Sequence, residues 1–165
     1  MAHSIVTLGK QHDLKGFDCG IPDLNIWLQT IARQHQKKSL SSTFVLVDDE
    51  SPNVIIGFYA LAIRGMTAIE NLPQLMTKRL PLEVPGISLA RLAVAETVRK
   101  QGNGSLLLID AMIRAKLVAS QAGGFALFVD AKDEVAAKFY FYHGFEPFPG
   151  DPLTLCISFA SIPDF

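Results

Sequence analysis

In Leu89-Ala90-Arg91-Leu92-Ala93-Val94-Ala95-Glu96-Thr97-Val98-Arg99-Lys100-Gln101-Gly102-Asn103-Gly104-Ser105 an apolar run breaks off, two basic residues follow, and a pair of spaced glycines opens a long apolar segment. Ile87 to Val94 reads as a strand, and Gly102 to Ala119 as a helix with a wide apolar stripe. Asp110 and Arg114 stand at i, i+4 and are expected on the wet side of that helix. Phe125 to Val129, next along the chain, reads as a buried strand. Strand, helix and strand in this order predict a right-handed crossover between parallel strands, and with it a mixed α/β sheet.

The turn between the first strand and the helix has chemistry of its own. Glycine lets a backbone come close to a ligand and take angles strained for other residues. The unpaired N–H groups and positive dipole of a first helical turn favour an anion. Arg99 and Lys100 add positive charge, so Arg99, Lys100, Gln101, Gly102, Asn103, Gly104 and Ser105 together suit a pyrophosphate. On this window alone, a tight turn that needs glycine only for packing stays open. Other nucleotide patterns fail: there is no Gly-Lys-Ser/Thr of a P-loop, and Leu107 stands where a dinucleotide fingerprint needs its third glycine or alanine.

Upstream, Ile5 to Leu8 reads as a short strand, and Phe17 to Pro22 as a turn into a helix. Leu24, Trp27, Leu28 and Ile31 give that helix a buried stripe; Asn25, Gln29, Arg33, Gln36 and Lys37 line its other side. Thr43 to Val47 and Val54 to Ile63 look like paired strands across the polar turn Asp48 to Asn53. Between Met66 and Gly86, where Pro73, Pro81 and Pro85 interrupt, a short helix and a loop are expected. Downstream, Asp133 or Glu134 opens a helix that stops at Gly144, with Val135, Phe139 and Tyr142 as its core stripe and Ala136, Tyr140 and His143 on a neighbouring face. Phe145 to Phe148 and Leu153 to Phe159 read as a last pair of strands.

The bulk numbers fit one compact domain, residues 1–165, with an ample core: 49% of residues are hydrophobic and 19% charged, which argues against disorder. No apolar run is long enough for a membrane span, and the start of the chain lacks the pattern of a secretory signal. Cys19 and Cys156 lie far apart in no metal-ligand spacing, so no metal is expected and a reduced, cytoplasmic setting is. A net charge of −1 excludes a generally basic coat but leaves room for a local basic patch.

Arg99-Lys-Gln-Gly102-Asn-Gly104 resembles the Arg/Gln-x-x-Gly-x-Gly/Ala signature of GNAT acetyltransferases, between a strand and a long helix as that family has it. Ala136-Ala-Lys-Phe-Tyr140-Phe-Tyr-His-Gly144-Phe145 resembles the family's second signature, a helix that carries a Tyr and is closed by Gly-Phe. The resemblance implies an α/β (α+β) fold: one mixed, mostly antiparallel sheet with a central parallel strand–helix–strand crossover, flanked by helices. It implies acetyl-CoA as co-substrate. It gives Leu92, Ala93 and Val94 to the strand that pairs with the pantetheine arm, with backbone N–H near Ala93 or Val94 holding the thioester carbonyl. Such preorganised donors are each worth about 3 kcal/mol of barrier lowering. Tyr140 becomes the acid that protonates the departing CoA thiolate, its phenol having an ordinary pKa of about 10. No general base stands out; Glu96 is a candidate, and a water relay or no dedicated base can suffice. Both cysteines read as buried structural thiols.

A narrower resemblance covers the remainder of the chain. Gly16-Phe-Asp-Cys-Gly20, Leu24, Trp27-Leu28, Ala32-Arg33-Gln34, Thr43 to Val47, Gly57 to Leu61 and Leu89 to Val94 look like the GNAT toxins of bacterial toxin–antitoxin pairs. That likeness implies acetylation of the α-amino group of aminoacyl-tRNA and a block of translation, a ribbon-helix-helix antitoxin as partner, and a homodimer. It makes tRNA-phosphate ligands of the basic residues Arg33, Lys37, Lys38, Lys78, Arg79 and Arg91, which would otherwise read as a solvated surface. Two other readings remain at this level: an acetyltransferase of a protein or small-molecule amine, and a CoA-binding regulatory module without turnover.

Overall fold

The computed structural model describes residues 2–164. In chain order they form β1 (His3–Thr7), α1 (Pro22–Thr30), α2 (Ala32–Lys37), β2 (Ser42–Asp48), β3 (Ser51–Ala68), β4 (Glu83–Val94), α3 (Asn103–Ala122), β5 (Ala126–Asp130), α4 (Glu134–Tyr142), β6 (Glu146–Phe148) and β7 (Asp151–Ser158). The strands make a seven-stranded sheet in the order β1-β2-β3-β4-β5-β7-β6. β4 and β5 run parallel, Gly86 opposite Ala126 through Leu89 opposite Val129, as a strand–helix–strand crossover requires. The pairs β1·β2, β2·β3, β5·β7 and β6·β7 are antiparallel. The expected mixed, mostly antiparallel sheet is therefore present.

The chain divides into two compact units, Met1–Ala62 with Ala90–Ala111, and Ile63–Leu89 with Met112–Phe165. In the first, Trp27 and Leu28 of α1 pack with Val45 and Val47 of β2, Phe58 of β3 and Ala93 of β4. Trp27 stacks on Phe58 at 6.1 Å between centroids, and Phe17 meets Phe58 edge-on at 5.5 Å. Full burial of each such side chain is worth roughly 1.5–3 kcal/mol, so this cluster anchors the first helix on the sheet. In the second unit Leu72, Val84, Ala126, Phe128 and Cys156 form the core. There the Arg64 guanidinium lies 4.9 Å from the Phe128 ring centroid and 3.3 Å from an oxygen of the exposed Asp130.

Several local expectations are corrected. The first helix is two helices, α1 and α2, parted at Ile31. The Thr30 hydroxyl donates to the Ile26 carbonyl at 2.7 Å, a back-bond that bends helices. Between Ala68 and Glu83 there is no α-helix, only the 3-10 turns Ile69–Asn71 and Gln74–Met76, and β3 runs further than its sequence pattern indicates. Asp110 does not stand on a wet face of α3. It is half-buried and accepts a 2.6 Å hydrogen bond from the hydroxyl of Tyr59, a residue wholly out of solvent. On α4 the apolar periodicity misleads: Val135 is 78% and Tyr142 80% exposed, whereas Tyr140 is 7% exposed. The buried face is the one with Tyr140, because Phe145, fully buried just past the helix, packs against its ring at 5.7 Å.

Candidate active site

β4 pairs with β5 from Gly86 opposite Ala126 to Leu89 opposite Val129, and β4 itself continues to Val94, past the end of β5 at Asp130. Ala93 is buried and Leu92 and Val94 half-buried, as core side chains are. β3 closes on this end of β4 through Gly57, where an added Cβ would lie 2.9 Å from the Ala93 carbonyl oxygen and 2.8 Å from Leu107 Cδ1. Only a residue without a side chain lets the two backbones come this close. Just beyond, the Ala95 N–H donates to the Ile56 carbonyl at 2.7 Å, and the 3-10 turn Glu96–Val98 leads into the glycine turn.

In that turn Lys100 has φ +60° and Gly102 φ +82°. Left-handed angles at a lysine cost free energy and are kept where the surroundings fix them. Here the buried Asn103 side chain donates across the turn to the Val98 carbonyl at 3.3 Å. Lys100, Gln101 and Gly102 are exposed, and a Cβ added at Gly102 would meet nothing within 4 Å. Helical bonding starts with the Leu106 N–H donating to the Gly102 carbonyl at 3.1 Å, so the amides of Asn103 and Gly104 precede the first intrahelical donor. An open backbone turn at the start of a 20-residue helix fits a diphosphate. The exposed Arg99 guanidinium donates from Nη2 to the Cys19 carbonyl.

Tyr140 belongs to the second unit. Asp133 caps α4 by accepting the Ala136 N–H at 2.8 Å, and the turn beyond the helix returns the His143 and Phe145 amides to the Tyr140 carbonyl at 3.0 and 3.2 Å. Gly144, at φ +99°, makes that return possible. Phe139 and Phe145 flank the Tyr140 ring edge-on. Burial pushes its phenol up to about 12. The group is thus a neutral hydroxyl at every physiological pH.

The basic residues divide by what they touch. The Arg33 guanidinium donates to the carbonyls of Gly9, Lys10 and His12 at 2.9, 3.3 and 2.9 Å, which ties it to the loop after β1. Arg91 donates to the Ala90 carbonyl at 2.6 Å and lies over the Trp27 ring, 5.1 Å from its centroid. Lys37, Lys38, Lys78 and Arg79 are exposed, with Arg79 at φ +64°. Cys19 and Cys156 are buried free thiols, and burial pushes Cys156 up to about 12. Among the described residues no group of three or more His, Cys, Asp or Glu gathers as metal ligands would, and no helix is long and apolar enough to cross a membrane.

Known proteins match this geometry along nearly the whole chain. Residues 39–147 match the model of the acetyltransferase (GNAT) domain. The tRNA-acetylating toxin of Mycobacterium tuberculosis is 36% identical over 145 residues, 88% of this chain and 85% of that protein. The crystal structure of a Tyr-to-Phe mutant of KacT has a TM-score of 0.90 at 25% identity, covering 98% of this chain and 97% of that one. AtaT complexed with acetyl-methionyl-tRNAfMet has a TM-score of 0.89 at 27% identity, covering 97% and 96%. A Tyr-to-Phe mutant of AtaT, bound to acetyl-CoA and the C-terminus of the antitoxin AtaR, has a TM-score of 0.80 at 26% identity, covering 96% and 94%.

Proposed function

The chain belongs to the GNAT acetyltransferases, enzymes that move an acetyl group from acetyl-CoA to an amine, and on that premise we propose that it is a toxin acetylating the α-amino group of aminoacyl-tRNA. The observation that carries the reading is similarity along almost the full length both to a protein named as a tRNA-acetylating toxin and to one held in complex with its acetylated aminoacyl-tRNA. Acetylation of that amine removes the nucleophile needed for peptide-bond formation, so translation stops.

In this reading the main-chain amides near Asn103 and Gly104 hold the coenzyme diphosphate, and Leu92 to Val94 pair with the pantetheine arm. Support comes from the open turn and from a β4 that outruns its pairing with β5. The amine attacks the thioester carbonyl, proximity supplying much of the acceleration. Backbone N–H groups at Ala93 or Val94 hold the developing oxyanion. Tyr140 protonates the leaving thiolate, its burial keeping the phenol in the donor form. Lys37, Lys38, Lys78 and Arg79, exposed and basic, contact tRNA phosphates. Arg33 and Arg91 serve instead to fix their own surroundings.

Residues 1–165 act as one acetyltransferase domain, consistent with β3, β4 and α3 each contributing to both compact units. A ribbon-helix-helix antitoxin as partner, a homodimer and a cytoplasmic location complete the proposal, the partner by analogy with the AtaT–AtaR pair. The test is incubation with labelled acetyl-CoA and charged or uncharged tRNA. Label is expected on the charged tRNA only; transfer to neither, with transfer to a protein or polyamine amine instead, overturns the choice of acceptor.

A further inference from the structure

We propose that Arg99 is a positioning residue for the acceptor side of the reaction, tying the Asp18–Gly20 turn to the start of the coenzyme turn. The inference deepens the reading above and rests on it.

Two main-chain carbonyls of the 18–20 turn are held from the segment after β4. The Glu96 N–H donates to the Asp18 carbonyl at 2.8 Å, and Arg99 Nη2 donates to the Cys19 carbonyl. The turn is braced from within: Asp18 Oδ1 accepts the Gly20 N–H at 2.8 Å and the Asn25 side-chain amide at 2.9 Å, and Asn25 Oδ1 accepts the Cys19 N–H at 2.9 Å. Gly20 takes φ +82°, and a Cβ there would lie 2.7 Å from Arg99 Nη2 and 3.3 Å from Glu96 Oε1. The glycine is what lets the guanidinium seat against the turn.

The placement has a chemical use. Glu96 follows Val94 by two residues, so the turn is hydrogen-bonded to the chain just past the strand end assigned to the thioester carbonyl. The turn carries the exposed Asp18 carboxylate, held below its usual range by the Gly20 N–H, then by Asn25 and Arg99. The planar guanidinium reaches the Cys19 carbonyl with one Nη2 donor at a set angle, which a lysine ammonium, a point charge on a flexible stem, does not reproduce. Arg99 thus acts on the acceptor through the turn, while the diphosphate is left to the main-chain amides.

Arg99→Lys retains the charge but loses the Nη2 bond to the Cys19 carbonyl. It is expected to leave the acetyl-CoA Kd within about threefold, raise KM for charged tRNA by about tenfold, as loss of one charge-assisted hydrogen bond does, and lower kcat. Amide exchange at Cys19 and Gly20 should quicken. Gly20→Ala, which pushes the guanidinium away, should reproduce this split, and both variants are compared with wild type by thermal melting. A tenfold weaker acetyl-CoA Kd with tRNA KM unchanged would make Arg99 a diphosphate ligand and overturn the proposal; so would unchanged exchange at residues 19 and 20. Wild-type protein that does not acetylate charged tRNA would refute the acceptor assignment instead, and the exchange and coenzyme titrations would still decide the role of Arg99.

Discussion

Gly102 and Gly144 both take positive φ, +82° and +99°, yet an added Cβ would meet nothing within 4 Å at the first and would lie 3.3 Å from Ile157 Cδ1 at the second. The first glycine sits in an exposed turn before the first helical donor, Leu106 N–H. The second closes a helix so that a buried phenol is fixed among aromatic rings. In the proposed reading one region offers backbone to a ligand; the other uses backbone to hold a side chain. Substitutions should therefore separate binding from chemistry and both from stability.

The largest separation is expected from Tyr140→Phe. Removing a positioned acid lowers kcat by about 10²–10⁴-fold, with acetyl-CoA affinity and melting temperature unchanged. Because the phenol's pKa is about 12, the wild-type kcat profile should show no fall from loss of this proton below about pH 10. Single-turnover transfer that survives the substitution would remove Tyr140 from the chemistry.

The paired glycine substitutions come next. Left-handed backbone costs a non-glycine residue roughly 1–2 kcal/mol. At Gly102 the exposed turn can relax into another shape, so Gly102→Ala should weaken acetyl-CoA binding by about tenfold, the equivalent of ~1.4 kcal/mol, and hardly move the melting temperature. At Gly144 there is little room to relax, so Gly144→Ala should lower the melting temperature by a few degrees, about what 1 kcal/mol does in a domain of this size, and leave coenzyme binding alone. Isothermal titration and thermal melts on both variants would show the reverse assignment if the contrast is false.

Smaller effects sharpen the edges. Lys37→Glu with Lys38→Glu should raise KM for charged tRNA several-fold and make its salt dependence shallower by about one to two in log–log slope, without touching acetyl-CoA affinity. A slope identical to wild type would take these lysines out of the tRNA contact. Asp133→Ala, which removes the α4 N-cap, should cost about 1 kcal/mol of stability in a denaturant titration and nothing in acetyl-CoA affinity.

What could be read in the sequence was what local chemistry dictates. The strand–turn–helix around Gly102 and the capped helix ending at Gly144 follow from glycine, cap and apolar spacing, and both formed as expected. Two kinds of information were missing. Periodicity on α4 put Val135 and Tyr142 inward, but a nine-residue helix has too few turns for spacing alone to choose its buried face; Phe145, from beyond the helix, chose it. Side-chain hydrogen bonds between segments far apart in sequence leave no local signal. Arg99 to Cys19 spans 80 residues, Tyr59 to Asp110 spans 51, and Arg33 reaches back over more than 20 to the loop after β1. Counting charges could not tell these committed cations and acids from the exposed lysines.

The bond from Tyr59 to Asp110 bears on how α3 is aimed. Asp110 lies about two turns along the helix from Gly102, and its carboxylate is met at 2.6 Å by a hydroxyl rooted in the wholly buried Tyr59 of β3. Rolling the helix about its axis would pull the acid off that donor and swing its first amides round together. The bond thus works as a keyway: a phenol inside the sheet sets the compass bearing of the amides at the helix mouth.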